Sequence, residues 1–487
     1  MDKNITLIPI PKKYDIGCEK TLVPCAVFSR NELFKSDIDV FCDYFRKIND
    51  IQPKIAPGGI ELILDSAVRG DGYILDSREG IKLRASTGEG MRYALASVLQ
   101  LAGLSGGKIA VDKMLLEDYP DKDYRGLMVD LARLWHPLHT ILRYIDVCYY
   151  YKIKYIHLHF IDDQIYSLPS RVFPEISTKG KSYSFEDIEV IKAYALDRGI
   201  IIIPEVEVPG HARALISAYP HVFGNKFTDG CKSVIVTEQG DLIDAGNIVC
   251  AGSNKALNSV KALIQEVCDM FPASPYIHIG GDEANIKAWN DCADCVRYMK
   301  ENNISDEYEL YSDYIARVAQ MVIDYGRIPI VWEGFPKKGA ERVPRETIVI
   351  AWESHYHMAY DLLEEGFNII NCSWQPLYII PGTSLRWDPY DILGWSVYNW
   401  QHWWPHSEAR LNPINVAPTD AVLGGQLCSW ECTYEQEINF VMENLSAVAE
   451  RTWSVKRIRD DKEYMDILRP VLHKLAKIIV EYIFDKR

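Results

Sequence analysis

Ser184-Phe-Glu-Asp187-Ile-Glu-Val-Ile-Lys-Ala-Tyr-Ala-Leu-Asp-Arg-Gly199-Ile-Ile-Ile-Ile-Pro-Glu205-Val-Glu207-Val-Pro-Gly-His211 contains one complete helix-to-strand unit, and its reading decides the fold. Ser184 is a helix N-cap with an acid three residues on, and Ile188, Ile191, Tyr194 and Ala195 share one helical face. Gly199 ends the helix. The four isoleucines that follow are apolar on both faces, as a strand is when one side meets a barrel interior and the other meets helices. Acids and a histidine gather where that strand runs out.

Outward from this unit the pattern repeats from about residue 120. Eight β-rich runs alternate with helical patterns: Tyr124 to Leu131, Lys154 to Asp162, Ile200 to Val208, Tyr276 to Asp282, Pro329 to Glu333, Thr347 to Glu353, Asn368 to Trp374 and Ala421 to Trp430. Eight β-then-α units predict an α/β chain folded as a closed parallel (β/α)8 TIM barrel. In the second run Tyr155, His157 and His159 alternate with Ile156, Leu158 and Phe160, so the histidines point into the barrel, toward the mouth where such folds build active sites. Residues 1–118 carry mixed strand signals at Ile5 to Ile10 and Ile60 to Asp65 and a helical pattern from Gly90 to Leu101. They are read as a small α+β domain ahead of a barrel at 119–487. The seventh and eighth strands are separated by Gln375 to Asp420, which holds Trp387, Trp395, Trp400, Trp403 and Trp404; so long a connection is usually functional.

At 487 residues, core size is no constraint. A formal charge of −15 without a basic stripe excludes a nucleic-acid surface. Met-Asp-Lys-Asn-Ile offers no apolar leader and no apolar run is long enough to cross a bilayer, so no membrane role and a cytoplasmic location are expected. Twelve unevenly spaced cysteines read as reduced thiols. Cys292-Ala-Asp-Cys295 is the one tight pair, and without two more ligands at recognisable spacing it is read as ordinary thiols; no metal or cofactor is expected.

The strongest chemical signal is Tyr276-Ile-His-Ile-Gly-Gly-Asp282-Glu283-Ala284. Two glycines let a ligand approach the backbone, and two adjacent acids follow. Neighbours on a strand point oppositely, so Asp282 and Glu283 suit one acid that protonates and one that orients better than two carboxylates flanking a bond. Helix capping alone would explain such a pair. The other strand ends also collect polar and aromatic groups, however: Arg125, Asp162, Asp163, Glu205, Glu207, His211, Trp332, Glu333, Trp352, Glu353, Trp374, Trp430 and Glu431. A second class of reading takes His157, His159 and His211, with Asp282, as ligands of a metal-dependent barrel hydrolase.

Here the chain resembles the family-20 glycoside hydrolases, the β-N-acetylhexosaminidases, from about Tyr73 to Val455. The matching segments are Tyr124-Arg-Gly-Leu-Met-Val-Asp-Leu-Ala-Arg133, His157-Leu-His-Phe-Ile-Asp-Asp-Gln164, Ile203-Pro-Glu-Val-Glu-Val-Pro-Gly-His211 and His278-Ile-Gly-Gly-Asp-Glu283. The resemblance implies an exo-acting enzyme on terminal β-linked N-acetylhexosaminides, in which the substrate's own acetamido oxygen attacks the anomeric carbon. Under it Glu283 is the general acid and base, Asp282 supports the acetamido nitrogen, and Tyr378 holds the acetamido oxygen. Trp332, Trp352 and Trp430 form an aromatic box, and Arg125 binds the 3- and 4-hydroxyls. His211 lies beside the acid with Glu207 as its acidic partner, where the family usually has Asp, while Asp162 and Asp163 orient groups at the barrel mouth instead of touching sugar, with coupling of Asp163 to the acid as the alternative. Two departures bear on specificity. Tyr378-Ile379-Ile380 lacks the Asp that many members carry two residues after the Tyr, and Trp430-Glu431-Cys432 places its Glu one residue early. Outer-hydroxyl recognition then falls to Glu431 or to Asp388, Asp391, His402 and His406.

Overall fold

The computed structural model describes residues 5–226, 234–236, 242–244, 247–380, 386–456 and 459–484. Eight parallel strands form the predicted barrel: Tyr124–Asp130, Tyr155–His159, Ile201–Pro204, Tyr276–His278, Ile328–Trp332, Ile348–Ala351, Asn368–Asn371 and Val422–Ser429. They neighbour one another in chain order, the eighth pairs with the first, and a bridge between Glu205 and His278 joins the third to the fourth. The helix of the opening unit is Phe185–Asp197, with Ser184 and Asp187 in a reciprocal capping box and Gly199 left-handed at φ 65°.

Two apolar clusters follow from the two faces of these strands. Tyr124, Met128, Tyr155, Ile203, Ile330, Ile350, Ile370 and Cys428 fill the barrel's interior, with Tyr124 and Tyr155 stacked 4.7 Å apart. The larger cluster packs the outer faces against the helices and continues into the N-terminal sheet.

That sheet has eight strands in a mixed order. Lys13–Pro24 pairs antiparallel with Lys108–Asp118, followed by Tyr73–Asp76, Ile81–Ala85, Ile60–Leu64, Ala26–Ser29 and Lys54–Ile55; Gly103–Ser105 joins Lys108–Asp118. The predicted helix is Gly88–Leu101. The strand signal at Ile5 to Ile10 is a correction: the segment is irregular but buried. Pro9 removes one amide donor. The Gln100 side chain accepts from the Ile8 amide and the Glu450 carboxylate from the Ile10 amide, satisfying what a strand would have paired.

The long connection is part of the barrel wall. Tyr378–Ile379 pairs alongside the eighth strand. Trp400 is buried and donates to the Ala351 carbonyl, and Trp395 is buried beside it in the core. Asp388 and Asp391 form a capping box on the helix Pro389–Gly394, so these two acids, expected as sugar ligands, serve local structure. Residues 381–385 of this connection lie outside the described residues.

Candidate active site

The fourth strand delivers the central acids because two glycines turn its end. Gly280 has φ 69°, and a Cβ there would lie 2.0 Å from the Glu207 carboxylate. Glu283 and His211 hold left-handed backbones at φ 43° and 46°, as does Glu431 at 54°, so strained non-glycine residues gather at one mouth.

Glu283 is the accessible partner, its side chain 45% exposed, and its Oε2 lies 3.3 Å from His211 Nε2. The other His211 nitrogen is 3.3 Å from Asp162 Oδ1. This corrects one expectation. The acid behind His211 is Asp162, not Glu207, because Glu207 turns to accept from the Gly281 amide at 2.9 Å. Asp163 orients the mouth, as expected: its carboxylate accepts from the Arg213 amide at 3.0 Å, at the start of a short helix. Burial disfavours a charge on His211, but the Asp162 carboxylate outweighs it and lifts the imidazole well above its ordinary range. Burial would raise Glu283, yet the hydrogen bond and charge of His211, with the charge of Arg133, hold it low.

Asp282 is the opposite case. Burial, with the neighbouring charges of Glu283 and Glu205, pushes its carboxyl from 3.8 up to about 7 despite the attraction of His211. Its Oδ1 is buried without a protein partner. The two adjacent carboxyls are thus held in opposite electrostatic states, Glu283 toward its ionised form and Asp282 toward its neutral one.

Around them stands an aromatic enclosure. Trp332 packs against Trp352 at 6.4 Å and Trp430 at 5.8 Å, while Tyr378 stacks on Trp352 at 6.0 Å and on Trp374 at 5.1 Å. The rings are fixed by hydrogen bonds as well as packing: Trp332 donates to Glu205 at 2.7 Å and Trp352 to the Glu333 carbonyl at 2.8 Å. Glu333 holds the next loop by accepting from the amides of Trp352, Ser354 and His355. Glu353 is buried near both central acids, and burial with the charges of Glu283, Glu333 and Asp282 raises it well above the carboxylate range. His402 Nε2 lies 3.4 Å from it.

Arg125 requires the largest correction. It is the second residue of its strand and therefore lies at the barrel floor, where its guanidinium donates to the carbonyls of Lys152 and Lys122 and to the Tyr93 hydroxyl. It clamps the barrel to the N-terminal sheet domain and is closed to sugar. Arg133, three residues past that strand's end, stands at the mouth instead. Its Nη1 is 2.9 Å from Asp162, its Nε 3.7 Å from Glu431, and its guanidinium lies 4.7 Å over the Trp430 ring. The signal was present in the sequence: active groups of this fold sit at C-terminal strand ends.

His157 and His159 do point inward as expected, but both turn to the buried Glu205, which also meets His278 Nδ1 at 2.9 Å. His211 sits apart, between Asp162 and Glu283. The three histidines of the metal reading thus do not converge. Burial drives His157 down to about 4, whereas the carboxylates of Glu205 and Asp162 overcome burial and lift His159 to about 10. The hub is a neutral and a charged imidazole on one carboxylate, which fixes the floor of the site.

The catalytic-domain model of glycosyl hydrolase family 20 matches residues 123–456. The chain is 28% identical over 414 residues to the β-hexosaminidase subunit beta of Entamoeba histolytica, covering 81% of this chain and 71% of that one. It is 28% identical over 388 residues to the β-hexosaminidase of Porphyromonas gingivalis, covering 72% of this chain and 48% of the relative. The solved structure of a family-20 exo β-N-acetylglucosaminidase from Vibrio harveyi in complex with N-acetylglucosamine superposes with a TM-score of 0.81 at 21% identity, over 97% of this chain and 77% of that one. With the match spanning the whole barrel, the segments that build the mouth included, this chain belongs to glycosyl hydrolase family 20.

Proposed function

We propose that the chain is an exo-acting β-N-acetylhexosaminidase that removes terminal non-reducing β-linked GlcNAc or GalNAc with retention, the substrate's acetamido group acting as nucleophile. The observation that carries this reading is the pairing of an accessible Glu283 with a neighbouring Asp282 whose buried Oδ1 lacks a protein partner. An acetamido N–H directed at Asp282 supplies that partner, and Asp282 then bears the charge that stabilises the cation developing on the amide. The Tyr378 hydroxyl holds the acetamido oxygen as it attacks C1, within the enclosure of Trp332, Trp352 and Trp430. Glu283 gives its proton to the departing glycosidic oxygen. Water then attacks C1 of the oxazolinium, Glu283 takes its proton, the C1 bond to the acetamido oxygen breaks, and retention results. Arg133, in place of Arg125, serves the 3- and 4-hydroxyls as a forked donor.

The protein's own groups hold Glu283 low and Asp282 high, so substrate binding must reverse the pair. The acetamido N–H favours ionised Asp282, while expelling water from around Glu283 favours its neutral acid. One proton relocated between adjacent carboxyls arms the acid.

Aryl glycosides that differ only at C2 test the proposal. The 2-acetamido substrate is expected to turn over and the 2-hydroxy analogue to be inert, and a thiazoline mimic of the bicyclic intermediate should bind tightly to the native enzyme and weakly to Asp282→Asn. Trapping a covalent sugar ester on any carboxylate would overturn it. We also infer a reducing, cytoplasmic setting, supported by the uneven spacing of the twelve cysteines and by the eleven described ones not being joined in disulfides; fractionation followed by alkylation of the native protein tests this.

A further inference from the structure

Two loops rise from the strands that carry the catalytic machinery, one after His211 and one after Glu283, and they are joined where three cysteines meet. Cys250 lies near the end of the first; Cys292 ends the second, and Cys295 follows in the first turn of the helix Ala293–Glu301. Their sulfurs lie 3.6 Å (Cys250 to Cys292) and 3.7 Å (Cys250 to Cys295) apart, all three are within 4.8 Å of one another, and none is exposed. We propose that Cys250, Cys292 and Cys295 form a zinc-thiolate site that locks these two loops together.

The spacing is the first argument. Four ligands at Zn–S bonds of about 2.3 Å set tetrahedral edges of about 3.8 Å between sulfurs, close to the two separations found. Asn225 Oδ1 lies 3.8 Å from the Cys295 sulfur, and a zinc-bound oxygen at about 2.1 Å would stand about 3.6 Å from it, so this amide is spaced to supply the fourth position.

The backbone is the second argument. The Ala293 amide, next to Cys292, donates to the Lys226 carbonyl at 3.1 Å, and the Asn225 side-chain amide donates to the Ile248 carbonyl at 2.7 Å, so main-chain bonds hold the segments that carry the three sulfurs and Asn225 against one another. Thiolates this close repel strongly away from water, and a divalent cation removes that cost. Gly252 allows the approach, because a Cβ there would lie 2.2 Å from the Asp294 carbonyl and 2.5 Å from the Cys295 Cα.

The position explains a use. The Ala212 amide donates to the Asn247 carbonyl, the Val249 amide to the Pro209 carbonyl, and the buried Trp289 indole to the Val249 carbonyl. A clamp at Cys250 therefore braces the His211 loop against the Glu283 loop without touching substrate. The spacing of Cys292 and Cys295 alone did not suggest a metal, because the third sulfur arrives from 42 residues away.

The test is cobalt substitution of the reduced full-length enzyme, followed by the optical spectrum. A single tightly held equivalent is expected, with thiolate-to-cobalt charge transfer and the intense visible bands of tetrahedral coordination. Cys292→Ser and Cys295→Ser should each weaken the charge-transfer band and lower thermal stability, while Cys18→Ser, an exposed control, should leave both unchanged. Should the variants fail to fold, X-ray absorption of the zinc-loaded native enzyme still decides, with three sulfur scatterers per zinc expected. Absence of the charge-transfer band, a zinc shell without sulfur, or a native disulfide within the trio would each overturn the proposal.

Discussion

Asp282→Asn should cripple the enzyme and stabilise the fold, with a pH dependence that identifies the cause. Burial and neighbouring carboxylates raise the Asp282 carboxyl from 3.8 to about 7. A raised folded-state value means that the group's contribution is fully present below the unfolded value and is lost as pH climbs through the folded one. At about 1.36 kcal/mol per pH unit, the loss by pH 8 approaches about 4 kcal/mol. Asp282 is coupled to Glu283 and partly open to solvent, so about half of that, roughly 2 kcal/mol, is the working figure. Asparagine mimics the neutral acid and escapes the penalty. With an unfolding entropy of about 2.1 cal/mol/K per residue, a chain of 487 residues gains roughly 2 °C in Tm at pH 8 and under about 1 °C at pH 4.5. Calorimetry at matched scan rates reads both, alongside turnover. An advantage that does not grow between pH 4.5 and 8, or a variant less stable at both, would refute the electrostatic account of the site.

Glu283→Gln should cost about 10²- to 10⁴-fold in kcat on substrates with poor leaving groups and far less on activated aryl glycosides; equal losses on both would remove Glu283 from the acid role. Arg133→Lys should lower kcat/KM by roughly 10-fold or more, since a point charge cannot replace a fork, whereas Arg125→Lys should lower Tm with kinetics intact. Asp162→Asn removes the carboxylate that keeps His211 charged, so the alkaline limb of kcat/KM should move to lower pH; an unmoved limb would separate His211 from the acid. Because Ile380 cannot accept a hydrogen bond and Glu431 leaves the strand early, GlcNAc and GalNAc aryl glycosides should both be cleaved appreciably, and a gluco preference above about a thousandfold exceeds what one lost bond of roughly 1–3 kcal/mol explains.

What the sequence made legible followed from period and order. Strands buried on both faces, each succeeded by a helical pattern, can close only in a few ways, and the alternation of His157 and His159 with Ile156 and Leu158 fixed which side faces inward. Asp282, Glu283, Trp332, Trp352 and Trp430 were readable because a C-terminal strand end has one destination in a barrel. Arg125 failed the same rule: it opens its strand, and the decapeptide that contains it ends in Arg133, the arginine that reaches the mouth. The failures at Glu207 and Cys250 are of another kind. Glu207 stands four positions before His211 in the chain, but a loop after a strand has no period, so spacing there carries no direction. Asp162 reaches His211 from a different strand, and Cys250 reaches Cys292 from a different loop. Gly280 shows how much information crosses that gap. Its missing side chain announces that something must come close, and the structure shows it to be the Glu207 carboxylate, 2.0 Å from where a Cβ would stand. A Cβ there would force the Glu207 carboxylate to shift and give up its place against the Gly281 amide, so the glycine is a spatial requirement of the turn that delivers Asp282 and Glu283.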